Sequence, residues 1–96
     1  MLQFVIIARD GNDEQALDRR KEIRPRHLAG ARILKDNNNF LFGGAMLDED
    51  GNMRGSVMFV QFETKAEFDN WYANEPYING NVWQEIEVQP FREAII

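Results

Sequence analysis

Cysteine is absent from this chain, and histidine occurs once, as His27. Without thiols there are no disulfides, no thiolate nucleophile and no cysteine-ligated metal, and the chain suits a reducing compartment. A lone imidazole leaves a zinc site without a donor set, and Asp48, Glu49 and Asp50 lack the spacing of a calcium loop. No metal or other cofactor is expected. No apolar run is long enough to cross a bilayer, and Met1-Leu2-Gln3 opens a strand pattern rather than a signal peptide. Basic residues are also few: 11 Lys and Arg against 16 Asp and Glu leave a formal net charge of -5. An acidic chain without a basic stripe is a poor ligand for nucleic acid, so neither nucleic acid nor membrane is expected as a partner. The expected setting is the cytoplasm.

What is present suffices for one domain over residues 1–96, with 44% apolar content to build its core. Leu2 to Arg9 reads as a strand, with Leu2, Phe4, Ile6 and Ala8 facing one way and Val5 and Ile7 the other. A strand apolar on both faces is buried on both. Asp10-Gly11-Asn12-Asp13 ends it, with Asn12 or Asp13 placed to cap the next helix. Pro25 divides the following segment into a short peripheral helix before Arg24 and a main helix from Pro25 to about Asp36. Asn37-Asn38-Asn39 stops that helix. Phe40 to Leu47 is the second strand, in which Gly43 and Gly44 permit a bulge or a close approach to the backbone. Asp50-Gly51 turns the chain into an antiparallel third strand, Gly55 to Phe62. Thr64 and Glu67 form a capping box on a helix that buries Phe68, Trp71 and Tyr72 and runs to about Asn74. Ile78 to Val82 is a loop. Trp83 to Arg92 is the last strand, with Pro90 marking an edge or a bulge.

The order β-α-β-β-α-β, with the extra short helix, is an α+β, ferredoxin-like arrangement. Its two helices cover one face of the sheet. At least three strands are apolar on both sides, so the second face needs a cover, and the simplest is another copy of the chain. A two-fold homodimer packed sheet against sheet is expected.

His27 is the first candidate for chemistry, because histidine is the side chain suited to proton transfer near neutral pH. The main helix runs back along the first strand, so its start lies near the strand's end, where Asp10 is. Asp10 and His27 are expected to meet, the carboxylate orienting the imidazole as a general acid or base. Asp36 lies about 13 Å along the helix and on its other side, which excludes it. Arg24 and Arg26 suit an anionic small-molecule ligand, and a solvated or salt-bridged face explains them equally well. Gly44 leaves room for a ligand beside the backbone. Ser56 can donate a hydrogen bond into the same cavity, although Gly55-Ser56 in a strand is no nucleophile elbow. Tyr77 is a hydrogen-bonding lid or core, and Trp71 and Trp83 read as core.

Taken together, these residues resemble the YciI-like (YCII-related) family of small bacterial proteins. The likeness rests on Ala8-Arg9-Asp10 ending the first strand, and on Arg24-Pro25-Arg26-His27-Leu28-Ala29. It continues through Leu41-Phe42-Gly43-Gly44-Ala45, Gly55-Ser56, Glu75-Pro76-Tyr77 and Gln89-Pro90-Phe91, in that order. The resemblance implies a dimeric α/β-barrel arrangement, also seen in muconolactone isomerases, and a His-Asp active site that falls here on His27 and Asp10. It also implies elimination chemistry, since one relative removes chloride from a chlorinated hydroxyquinone. Three features depart from the family pattern: Ala45 in place of proline, Glu75 in place of aspartate, and a short loop between the second and third strands. They bear on the pocket rather than on the fold. Two readings stay open. One is a small isomerase or lyase acting on an anionic or aromatic carbonyl compound, with Arg24, Ser56, Gly44 and Tyr77 binding the substrate. The other is a non-catalytic, dimeric ligand-binding or accessory module.

Overall fold

Alternation along the first strand sets the two faces of the sheet. In the computed structural model, which describes residues 1–96, β1 (Leu2–Asp10) buries Phe4, Ile6 and Ala8 and leaves Val5 and Ile7 half-buried on the opposite face. The chain continues through α1 (Ala16–Asp36), β2 (Phe40–Leu47), β3 (Met53–Phe62), α2 (Lys65–Ala73), α3 (Pro76–Asn79) and β4 (Trp83–Phe91). The strands form one antiparallel sheet in the order β2-β3-β1-β4, which is the ferredoxin-like βαββαβ topology. Pro90 lies on the edge strand β4, where its missing donor costs no ladder bond.

The core is the layer between the helices and the inner face, where Ile6, Met58, Val60 and Phe62 meet Ile23, Leu34 and Phe68. Each such side chain, fully buried, contributes about 1.5–3 kcal/mol. Thr64 caps α2 as its sequence pattern predicts, its hydroxyl oxygen accepting from the Glu67 N–H at 3.2 Å. Asn38 takes φ 61° just past α1, the left-handed conformation expected of that asparagine run.

Two local expectations are corrected. Pro25 does not divide the first helical segment: α1 is a single helix of 21 residues with Pro25 inside it. Arg24, Pro25 and Arg26 are all exposed, so the carbonyl that the proline leaves without a partner faces water. The buried face of α1 runs unbroken through Ala16, Arg20, Ile23, His27 and Leu34, and its packing outweighs the roughly 3 kcal/mol cost of the proline. The extra short helix is instead α3, opened by Pro76 at a position proline favours. Neither Asn12 nor Asp13 caps α1. Gln15 occupies the cap without a side-chain bond, while the Asp13 carboxylate binds Arg19 at 2.8 Å.

Candidate functional site

A cavity of about 120 Å³ lies between α1, the start of α3 and the inner edge of β2 and β3. Arg20, Arg24, His27, Gly44, Ser56 and Tyr77 help to line it. Five of the residues singled out from sequence therefore share one hollow: Arg24, His27, Gly44, Ser56 and Tyr77. Each gets there for a local reason. His27 lies on the buried stripe of α1, and Ser56 occupies an inward position of β3, two before Met58. Tyr77 follows Pro76 in the first turn of α3. Gly43 leaves space that a side chain would fill, since a Cβ there would sit 2.8 Å from the Val57 carbonyl oxygen.

His27 makes its closest polar contact with Glu75, Nδ1 to Oε1 at 2.6 Å, and both groups are buried. The same Glu75 oxygen accepts from the Tyr77 N–H at 3.1 Å, so this carboxylate caps α3 and holds the imidazole at once. Against a carboxylate, Nδ1 carries the proton and Nε2 is left as the basic nitrogen. The ring is further fixed by stacking on Tyr77, with centroids 4.0 Å apart, and by the edge of Trp83 at 5.8 Å.

The expected direct contact between Asp10 and His27 is not formed. Asp10 instead accepts from Arg20 Nη1 at 3.0 and 3.1 Å, in a pair whose side chains are each only 3% exposed. The uninterrupted α1 explains this. Because the helix begins at Ala16 rather than Pro25, the residue one turn in from Asp10 is Arg20, and His27 lies about 10 Å further along the axis. The register shift at Arg9/Asp10 leaves Gln84 of β4 without a partner, an irregularity in the β1–β4 ladder beside Asp10.

Arg20 ties the two halves of the site together. Its Nη2 donates to Ser56 Oγ at 2.8 Å, Trp83 Nε1 donates to the same oxygen at 3.2 Å, and its guanidinium carbon lies 4.7 Å from the centre of the Tyr77 ring. Burial pushes the Asp10 carboxyl above its ordinary value, against the opposing pull of Arg20. Burial likewise raises the Tyr77 phenol, with Arg20 and Arg24 opposing.

Arg20 and Glu75 are the site residues that sequence reasoning missed. A helical stripe stepped back from His27 through Ile23 reaches Arg20, but only if the helix is carried through Pro25. Arg26, offered with Arg24 as an anion ligand, is exposed on α1 and does not line the cavity. Trp71 and Trp83 pack as core, Trp83 also reaching Ser56.

The YCII-related domain family matches residues 2–92. The chain belongs to the YCII-related family. Among its YCII-related relatives is Protein YciI of Escherichia coli O6:H1, 31% identical over 97 residues, covering 95% of this chain and 97% of that one. The fold of this YCII-related chain resembles that of TftG, the 5-chloro-2-hydroxyhydroquinone dehydrochlorinase of Burkholderia phenoliruptrix AC1100, solved with 2,5-dihydroxybenzoquinone. The TM-score is 0.80 and the identity 23%, covering 96% of this chain and 95% of that one. It also resembles a dimeric ferredoxin-like protein of unknown function from Jannaschia sp. CCS1, with a TM-score of 0.60 and 14% identity, covering 97% of this chain and 100% of that one.

Proposed function

We propose that this protein is a small cofactor-independent enzyme of the isomerase or lyase type, with His27 as its general acid and base. The observation that carries the reading is the buried His27–Glu75 contact at 2.6 Å on the wall of a cavity. Glu75 holds the proton on Nδ1 and leaves Nε2 free to take a proton from a carbon beside a carbonyl. The electron pair of that C–H bond moves to the carbonyl oxygen and forms an enolate. Return of the proton at another carbon completes an isomerisation. Departure of a leaving group from the adjacent carbon completes an elimination, and the proton stays on Nε2 until solvent removes it.

In this reading Glu75 orients the imidazole. Asp10 is a positioning residue that acts through Arg20, while Arg24, Ser56, Gly44 and Tyr77 border the substrate. The fold likeness to a dehydrochlorinase supports the reaction class, and the substrate belongs to the same proposal: a small, anionic or aromatic carbonyl compound. A homodimer through the open sheet face is a further part of it. That face carries Phe42, 72% exposed, beside half-buried Val5, Ile7, Val57 and Phe59, and one fold relative is described as dimeric. A reducing, cytoplasmic setting accords with the cysteine-free composition.

The test is an assay of chloride release and keto–enol conversion over a panel of small hydroxyquinones and keto acids, 5-chloro-2-hydroxyhydroquinone among them. Turnover of at least one compound, lost in a folded His27→Gln protein, is the expected result. Turnover that survives that substitution would overturn the mechanism, and a panel without turnover favours the binding-module alternative.

A further inference from the structure

Apart from the basic Nε2 of His27, the polar side chains around the cavity have hydrogens to give and no free acceptor. Ser56 Oγ accepts from Arg20 Nη2 and from Trp83 Nε1, so both of its lone pairs are taken, and its own hydrogen is given to no acceptor in the protein. The Tyr77 hydroxyl and Arg20 Nε are buried and have no partner at all. Such groups normally cost about 1–3 kcal/mol each when left unpaired. Glu75 and Asp10, the nearby acceptors, are already engaged by His27 and Arg20. Arg24 also lines the cavity, is exposed, and forms no ion pair, which leaves a positive charge at the mouth without an internal counter-charge. The remaining lining, including Leu28, Phe40 and Met58, is apolar.

We propose that the Ser56, Tyr77 and Arg20 donors form a recess for one anionic oxygen of the ligand, with Arg24 balancing its charge at the entrance. This deepens the enzymatic reading and rests on it, because it names the substrate class for the same cavity: a carboxylate, enolate or phenolate. The recess also assigns Ser56 a role. With its lone pairs occupied it is a donor to the ligand and not a nucleophile. Within the recess, a group that presents hydrogens of its own, such as an amide nitrogen, meets donors facing donors and is disfavoured. The space of about 120 Å³ holds roughly four water-sized volumes. It therefore accepts a small acid whole, or the charged end of a larger one.

Benzoate and its neutral, isosteric partner benzamide separate these possibilities by isothermal titration calorimetry. Benzoate has no acidic carbon-bound proton, so its binding reports on the recess and not on the base. Wild-type protein is expected to bind benzoate at millimolar concentration or better, and benzamide at least about tenfold more weakly. Tyr77→Phe and Ser56→Ala are each expected to weaken benzoate by about tenfold or more without changing benzamide. Equal binding of the two probes, no benzoate binding at millimolar concentration, or unchanged benzoate affinity in the variants would overturn the proposal. Should Ser56→Ala fail to fold, Tyr77→Phe decides alone, since it keeps the ring and its stacking. The acid/base reading fails separately: the benzoate pattern would hold while His27→Gln left turnover intact.

Discussion

Tyr77 and Glu75 are neighbours in sequence, yet their substitution is expected to act in opposite directions. The Tyr77 hydroxyl is buried without a partner, so Tyr77→Phe should leave stability unchanged or raise it by about 1 kcal/mol while weakening ligand binding. Glu75→Ala strands the His27 ring N–H and the Tyr77 backbone N–H in a buried site, and should cost about 1–3 kcal/mol. Urea denaturation of the two variants checks both signs. Asp10 supplies a pH test. Burial raises its pKa in the folded chain, so between the ordinary carboxylate value and that raised value the native state binds more protons than the unfolded one. The contribution of Asp10 to stability is then largest in acid and declines as pH rises through that window. Against Asp10→Asn, wild type should lose relative stability as pH rises above the ordinary carboxylate range. A relative gain would contradict the assignment. The comparison cancels the exposed Asp13, whose carboxyl Arg19 holds below its ordinary value. At this scale the sequence was legible for His27, Ser56 and Tyr77, whose residue types announce polar chemistry on otherwise apolar faces. Glu75 was legible only as a departure from a motif, because its tie to His27 joins residues far apart in the chain.

Elements are legible in the sequence where period and punctuation agree. Thr64 caps α2, Asn38 turns left-handed, and Gly51 sits at the tip of the β2–β3 connection with φ 83°. Sequence pattern and structure part at Pro25, where a local rule opposes a tertiary one. Proline disfavours a helix interior, but the buried stripe from Ala16 to Leu34 is continuous and the broken hydrogen bond lies on the wet side. Carried through Pro25, the helix starts at Ala16, and the partner of Asp10 is Arg20 rather than His27. Pro25→Ala restores a donor in an exposed helix interior and should raise stability by about 1–3 kcal/mol, some of the gain being offset by a freer unfolded chain. Thermal unfolding followed by far-ultraviolet circular dichroism measures it. A lower melting temperature would mean that the bend at Pro25 is required by the packing of α1 on the sheet.

Across the whole molecule, the helices leave one face of the sheet uncovered, and that face is apolar at its centre. Gly43, Gly44 and Ala45 on the edge strand β2 border both the His27 cavity and the hollow beside Phe42, Val57 and Phe59 on this open face. A second subunit seated there would adjoin the wall of the site. On the assembly proposal, wild type is expected to sediment as a dimer and Phe59→Glu as a folded monomer; wild-type protein that sediments as a monomer at micromolar concentration would remove that proposal. The apolar second face was readable from strands apolar on both sides, whereas a cavity enclosed by four separate elements has no signature in local pattern. The central claim, that His27 is a base poised by Glu75, is tested most directly by the exchange of pyruvate methyl protons with deuterium in D₂O, followed by proton NMR. The account predicts exchange faster than in buffer, abolished in His27→Gln and retained at a reduced rate in Tyr77→Phe. Exchange no faster than in buffer, or equally fast with His27→Gln, would contradict it.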